Sequence, residues 1–302
     1  MVPTVVLAAS AFIAETGFYE IHAPSASQAS GLGHDLDHAA LRFRLHFGAN
    51  PRRIAVVAFE SVREMREYDP VLLNSKGVRY VPWLLKNDAL DGSCDVEPAR
   101  LAESAARGLP GRSLDHEAGH AFLSAHVDAR LGRLPAQGPV ADLSSLDPGD
   151  AIMPDWFEEA AAALCEMPES RTARLAAFRR RLWERYPLHE LFTMRDAGQG
   201  RDGLPGGGAA RHRFFVDQSF AVAAFLVDRE GPSFIGRLSD ALTKGRATTQ
   251  ALRDDAPSLP ADVDELERLW ISWVEGLTEE AAGAAAVRSA SDTSPLSEVD
   301  GG

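Results

Sequence analysis

The residues with the clearest chemical potential are two histidines and a glutamate in the segment HEAGH at 116–120. On a helix, side chains four positions apart lie on one face, so the imidazoles of His116 and His120 can bind the same metal ion. Glu117 lies one position further round, where its carboxylate can take a proton from a water on that ion. Zn²⁺ lowers the pKa of such a water to about 7. The spacing therefore predicts a zinc site for hydrolysis, with Glu117 as the general base.

The third metal ligand is expected from a second helix, predicted over 154–167. Pro154 suits the first turn of that helix, and Glu158 and Glu159 follow one turn later. If the two helices pack side by side, one of these glutamates can reach the metal. A solvated pair is the commoner role for an isolated Glu-Glu, and the residues alone leave the choice between Glu158 and Glu159 open.

His126 is a second candidate for the third ligand, because the segment HEAGHAFLSAH has the spacing of the metzincin motif H-E-x-x-H-x-x-G-x-x-H. The glycine of that motif lets the chain leave the helix, but its position is occupied here by Leu123. We therefore expect the helix to continue, which places His126 about 240° round the helix from His120. A metzincin-like site is accordingly the less favoured alternative.

Hydrophobic periodicity predicts the elements that must position these residues. Short β-rich or wholly apolar runs predict three strands early in the chain, and Pro82 places the third of them at a sheet edge. From Pro98 onward the apolar spacing is helical almost throughout. Strands are predicted at 17–23, 54–59 and 78–85, and helices at 28–47, 61–68, 98–108, 113–131, 154–167, 170–185, 211–230, 233–244, 247–254 and 262–277.

This order of elements predicts an α+β protein with a small α/β lobe at about 15–105 and a mostly helical lobe at about 106–278. Residues 279–302 are rich in Ala, Ser, Glu and Asp, and we expect them to form a disordered tail. The apolar run within 1–14 is expected to be either a truncated signal peptide or a first strand. The signal-peptide interpretation favours export to the periplasm or the extracellular space, with the cytoplasm as the alternative.

Composition limits the partners. The chain has 302 residues and a formal net charge of −13, and this acidic balance argues against nucleic acid as a partner. The apolar runs are too short for an integral membrane segment, so we expect a soluble mature protein. Cys94 and Cys165 are the only cysteines, which is too few for a Cys-based zinc cluster or a disulfide framework. The sequence predicts neither their pairing nor an oligomeric state.

In three segments the chain resembles the gluzincins, and especially the peptidase MA-like proteins related to aminopeptidase N. The segment 114–120 is similar to the zincin helix, 154–162 to the segment P-D-W-x-x-E-G-x-A, and 215–221 to the Y-x-Q-S helix. The resemblance covers about residues 17 to 277 and implies a zincin-type fold with one Zn²⁺ ion. It also implies that Glu159 is the third ligand and that the substrate is a peptide or protein.

One departure from the family pattern concerns catalysis. Val216 stands where the family has a tyrosine whose hydroxyl helps to stabilise the oxyanion. Valine cannot donate a hydrogen bond, and loss of one oxyanion donor can lower the rate by about 10² to 10³. Either another donor such as His212 replaces it, or the protein is a catalytically weak or inactive metal-binding member of the same fold.

A second departure concerns the surroundings of the third ligand. Glu159 follows His120 by 39 residues, which is longer than in aminopeptidase N, although a longer loop is tolerated at little thermodynamic cost. The positions three and four after Glu159 are alanines. The carboxylate that orients a metal-binding histidine must then come from elsewhere, and Glu166 and Asp155 are the candidates.

Overall fold

The computed structural model of the chain describes residues 12–61, 64, 79–85, 113–132, 153–194 and 207–277. The helix predicted at 98–108, most of that at 61–68, residues 1–11, the tail at 279–302 and Cys94 lie outside these ranges. The described part begins with β1 (Phe12–Glu15), β2 (Tyr19–Ala23), α1 (Ala26–Phe47), β3 (Ile54–Phe59) and β4 (Arg79–Leu84). The last four agree with the predicted elements to within about two residues, and β1 is formed by the end of the apolar N-terminal run.

In the described residues the strands form one sheet in the order β1-β2-β3-β4. β1 runs antiparallel to β2, while β2, β3 and β4 are parallel. Every residue of β3 is buried, as expected for a wholly apolar run in the middle of a parallel sheet. Among the described strands β4 lies at one edge of the sheet, the position in which a proline such as Pro82 is tolerated.

Helix α1 covers this sheet and connects two of its parallel strands. It begins after Ser25, whose side chain accepts a hydrogen bond from the backbone N–H of Gln28, and a serine cap of this kind stabilises a helix by about 1 kcal/mol. It ends at Gly48, whose positive φ of 64° is the left-handed conformation that glycine adopts without strain. Its buried face, which includes Phe43 and Phe47, is the surface against which the next long helix packs.

The rest of the described chain is helical. Its helices are α2 (Leu114–Arg130), α3 (Asp155–Leu164), α4 (Pro168–Arg180), α5 (Leu188–Leu191), α6 (Gly207–Glu230), α7 (Phe234–Thr243), α8 (Thr248–Asp255) and α9 (Val263–Gly276). Most bounds agree with the prediction to within a few residues. The helix predicted at 170–185 instead ends at Arg180 and is followed by a single 3-10 turn at Leu182–Glu184. The predicted α+β class is confirmed.

Three helices meet at the centre of this part. α3 packs against α2 on one side and α6 on the other, and α4 also packs against α6. The apolar face of α3 is fully enclosed and includes Trp156 and Phe157. α2 in turn contacts α1, β3 and β4, so it joins the sheet to the helices. Among the described residues, no helix has both the length and the apolar character needed to cross a membrane.

Candidate metal centre

Three of the predicted ligands converge at the contact between α2 and α3. His116 Nε2 lies 3.2 Å from His120 Nε2 and 3.3 Å from Glu159 Oε2, and His120 Nε2 lies 3.6 Å from the same oxygen. A tetrahedral Zn²⁺ with bonds of about 2.0–2.1 Å has ligand atoms about 3.3–3.4 Å apart. The three donor atoms therefore fit a metal ion of this size, and they form a group that could hold one.

A glycine allows the two helices to come close enough for this convergence. A Cβ atom on Gly119 would lie 2.7 Å from the Cα and 3.0 Å from the carbonyl oxygen of Ala162, which are distances that a real side chain cannot adopt. Ala162 lies one turn after Glu159, so the face of α3 that touches Gly119 is also the face that presents the carboxylate. The small residues at these two positions thus bring Glu159 to the histidines.

The structure distinguishes the three candidates for the third ligand. Glu159 is buried and belongs to the metal-binding group, whereas Glu158 is half-buried and does not. His126 lies on a different face of α2, with its ring 5.8 Å from that of Phe43 and 5.7 Å from that of Phe47. This position does not support the metzincin-like alternative, because α2 continues through Leu123 as a regular helix.

A carboxylate orients the inner histidine. Glu166 Oε1 lies 2.7 Å from Nδ1 of His116, and a carboxylate can only accept, so Nδ1 carries the proton and donates it. Nε2 is then free to bind a metal, which is the usual arrangement of a metal-binding histidine. Of the two carboxylates considered from sequence, Glu166 makes this contact, while Asp155 is half-buried at the start of α3.

These charges shift the pKa values of the group in a consistent way. Burial lowers the pKa of His116, but its hydrogen bonds to Glu159 and Glu166 outweigh this effect and raise the pKa to about 9. Burial raises the pKa of Glu159, but the charge of His120 and its hydrogen bonds to the histidines hold it well below the usual range. The group of His116, His120 and Glu159 therefore favours a positive charge between its side chains. Either a proton or a metal ion can supply that charge, so the two compete for the site.

The group is closed on one side and open on the other. The side chains of His116 and Glu166 are 1% and 0% exposed, whereas those of His120 and His212 are 16% and 20% exposed. His212 lies on α6, with Nε2 3.8 Å from Glu159 Oε1, and Glu117 on α2 is half-buried. Among the described residues, His120 and His212 therefore line the more exposed side of the group.

Val216 is also on α6, but it is buried and has no polar group to offer. Position 216 of the helix therefore offers no hydrogen-bond donor from its side chain. His212 is one turn closer to the start of α6 and approaches Glu159. It is the predicted substitute donor that the structure places beside the group.

Sequence reasoning missed three buried charged residues around this group. Asp115 accepts hydrogen bonds from the backbone N–H groups of His116 and Met167 and thereby joins the starts of α2 and α4. Arg174 and Asp217 are also buried. The available signal was the helical spacing of Arg171, Arg174, Leu175 and Phe178, the four buried residues of α4. An arginine-rich helix usually presents a solvated basic face, but Arg171 and Arg174 of α4 are buried.

Comparison of the chain with protein-family models, curated proteins and solved structures finds no match. The resemblance to the gluzincins therefore stays a prediction from sequence.

Proposed function

We propose that this protein is a zinc-dependent peptidase whose metal ligands are His116, His120 and Glu159. The observation that carries the proposal is the meeting of these three donor atoms at tetrahedral spacing, with Glu117 adjacent on the same helix. Two imidazoles and one carboxylate, with a fourth position left for water or substrate, are a donor set of catalytic zinc sites. A purely structural zinc site commonly has four protein ligands.

The chemistry divides among the side chains in a simple way. Zn²⁺ held at this site supplies a Lewis acid that polarises the peptide carbonyl and acidifies a water. Glu117 takes a proton from the attacking water as the new C–O bond forms. It returns that proton to the amine nitrogen as the C–N bond breaks. Glu166 keeps Nδ1 of His116 protonated during both steps, so that the ligand geometry does not change.

His212 is the donor that we assign to the developing oxyanion. It lies on the open side of the group, and its Nε2 is 3.8 Å from a Glu159 oxygen. An N–H from this ring can donate to a carbonyl oxygen that becomes negatively charged. A preorganised donor of this kind contributes about 10² to 10³ in rate, so His212 compensates for the absence of a hydroxyl at Val216.

Glu117→Gln tests the proposal, because glutamine keeps the shape of the side chain but cannot accept the proton. Metal content and cleavage of a defined peptide library are measured for both proteins, with the exposed Glu275→Gln as the control. We expect wild type and both variants to hold one zinc per chain. Cleavage by Glu117→Gln should be slower by about 10² or more, whereas Glu275→Gln should match wild type. Wild type without stoichiometric zinc, or Glu117→Gln with full activity, would contradict the proposal.

A second candidate function is metal binding without catalysis, and the buried Val216 favours it. In that case wild type holds zinc but releases no peptide products, and Glu117→Gln is indistinguishable from it. The same two measurements therefore separate the two functions.

A further inference from the structure

Behind His116, a chain of buried charges extends away from the metal group through α4 to α6. Glu166, in the short connection between α3 and α4, contacts His116 with one carboxylate oxygen. Arg174 of α4 donates from Nε to Glu166 Oε2 at 2.7 Å and from Nη2 to Oε1 at 2.5 Å. Its remaining nitrogen, Nη1, donates to Asp217 Oδ1 of α6 at 2.9 Å. None of Glu166, Arg174 and Asp217 is more than 7% exposed.

We propose that Arg174 and Asp217 are positioning residues of the metal centre, which fix the imidazole of His116 through Glu166. The inference rests on the metal site of the proposed function, but it does not depend on catalysis. The hydrogen bonds described above join Arg174 to Glu166 and Asp217 to Arg174, so both residues act on His116 through the carboxylate of Glu166.

The geometry explains how this positioning works. Both oxygens of Glu166 are bound by one planar guanidinium, so the carboxylate cannot rotate without breaking two charge-assisted hydrogen bonds. Oε1 then stays on the Nδ1–H of His116. Asp217 in turn fixes the plane of the guanidinium from the opposite end. A lysine has no rigid fork and cannot hold both oxygens and Asp217 in the same way.

The network also gives helix α6 two contacts with the centre. His212 approaches Glu159 directly, and Asp217, five residues later, reaches His116 through Arg174 and Glu166. A change at Asp217 should therefore alter the orientation of His116, whereas His212 acts at Glu159. A buried ion pair that served only packing would have no such effect on the metal.

The experiment must separate positioning from stability, because removing one partner of a buried ion pair strongly destabilises a fold. Zinc affinity is measured by chelator competition for wild type, Arg174→Met, Arg174→Lys and Asp217→Asn. Unfolding of the chelator-treated proteins is followed in parallel. Arg180→Met is the matched control, since Arg180 is exposed on the same helix.

We expect Arg174→Met and Asp217→Asn to raise the zinc Kd by about 10 to 100-fold, the range found when outer partners of a ligand are removed. Arg174→Lys should fall between wild type and Arg174→Met, and Arg180→Met should match wild type. Should Arg174→Met fail to fold, Arg174→Lys and the nearly isosteric Asp217→Asn carry the comparison. Reduced stability with a wild-type zinc Kd in the folded variants would overturn the inference.

A double-mutant cycle with Glu166→Gln tests the route. If Arg174 acts through Glu166, Arg174→Met should change the zinc Kd by less than about threefold in the Glu166→Gln background. Full additivity of the two effects would overturn the inference. Wild type that binds no zinc would overturn both this inference and the proposed function. Wild type that binds zinc but cleaves no peptide would contradict only the peptidase activity, and the affinity test stands.

Discussion

Two histidines of helix α2 are both buried, yet they have opposite surroundings. His116 lies between the carboxylates of Glu159 and Glu166, and its pKa is raised to about 9 despite its burial. His126 lies between two aromatic rings, and burial followed by the charge of Arg130 lowers its pKa. Burial on α2 is therefore not what suits a histidine to bind a metal ion; the carboxylates of Glu159 and Glu166 set His116 apart from His126.

The packing of α2 explains the difference. The face with His116 meets α3 and the connection to α4, which contribute Glu159 and Glu166. The face with His126 meets α1, whose inward residues Phe43 and Phe47 are apolar. The first face can stabilise a cation, whereas the second favours a neutral ring. Four predictions test this contrast, in decreasing order of the change that each should produce.

The largest effect is expected from removal of a ligand. His116→Ala, His120→Ala and Glu159→Ala should each weaken zinc binding by more than about 100-fold, beyond the range found for loss of an outer partner. His126→Ala and Glu158→Ala should leave one zinc per chain. Metal analysis after dialysis, together with chelator competition, measures this. Loss of zinc in His126→Ala with retention in Glu159→Ala would reverse the assignment of the third ligand.

Loss of the proposed oxyanion donor should lower the rate of peptide cleavage without changing the zinc content. His212→Leu, which has no donor, is expected to lower kcat by about 10² to 10³ while zinc content stays at one per chain. His189→Leu, at an exposed histidine, is the control. Peptide cleavage under saturating substrate gives kcat. Unchanged kcat in His212→Leu would remove this residue from the mechanism.

An added side-chain atom between α2 and α3 should lower both the stability of the fold and its affinity for zinc. Gly119→Ala introduces a Cβ that overlaps the backbone of Ala162, and overpacking of this kind lowers the free energy of unfolding by about 1–3 kcal/mol. Because α3 must then move away, Glu159 should also bind zinc more weakly. Gly31→Ala on α1 meets no neighbour, so it should be neutral or stabilise by up to about 1 kcal/mol. Denaturant unfolding and zinc titration measure both effects, and equal behaviour of the two variants would contradict the close helix contact.

The smallest effect concerns His126 in acid. The fold lowers the pKa of His126 below its ordinary value of 6.5. As the pH falls below 6.5, the unfolded chain therefore binds a proton at this histidine before the folded chain does. Folding stability contributed by the neutral ring is therefore lost toward acid pH. His126→Leu should flatten the decline of unfolding free energy below pH 6.5 and change it by no more than about 1 kcal/mol at pH 7.5. His189→Gln should leave the curve as in wild type, and an equal flattening by both variants would contradict the effect of burial.

Much of the fold was predictable because local patterns are strong. The wholly apolar run at 54–59 predicted the buried strand β3, and helical spacing predicted α2 and α3 with nearly correct bounds. The helix predicted to end near residue 185 ended at Arg180. Apolar periodicity predicts that an element exists more reliably than it predicts the residue at which the element ends, since the final residues depend on tertiary contacts.

The relation between the two histidines and the adjacent glutamate can be read from the sequence, because it follows from the helical repeat alone. That Glu159, and not Glu158 or His126, joins the histidines depends on tertiary packing, since it requires the close approach of α2 and α3 at Gly119. Packing also brings Glu166 to His116 and Asp217 to Arg174. These contacts join residues 50 and 43 positions apart, and no local pattern specifies such distant pairs; the packing of α4 and α6 around the centre does.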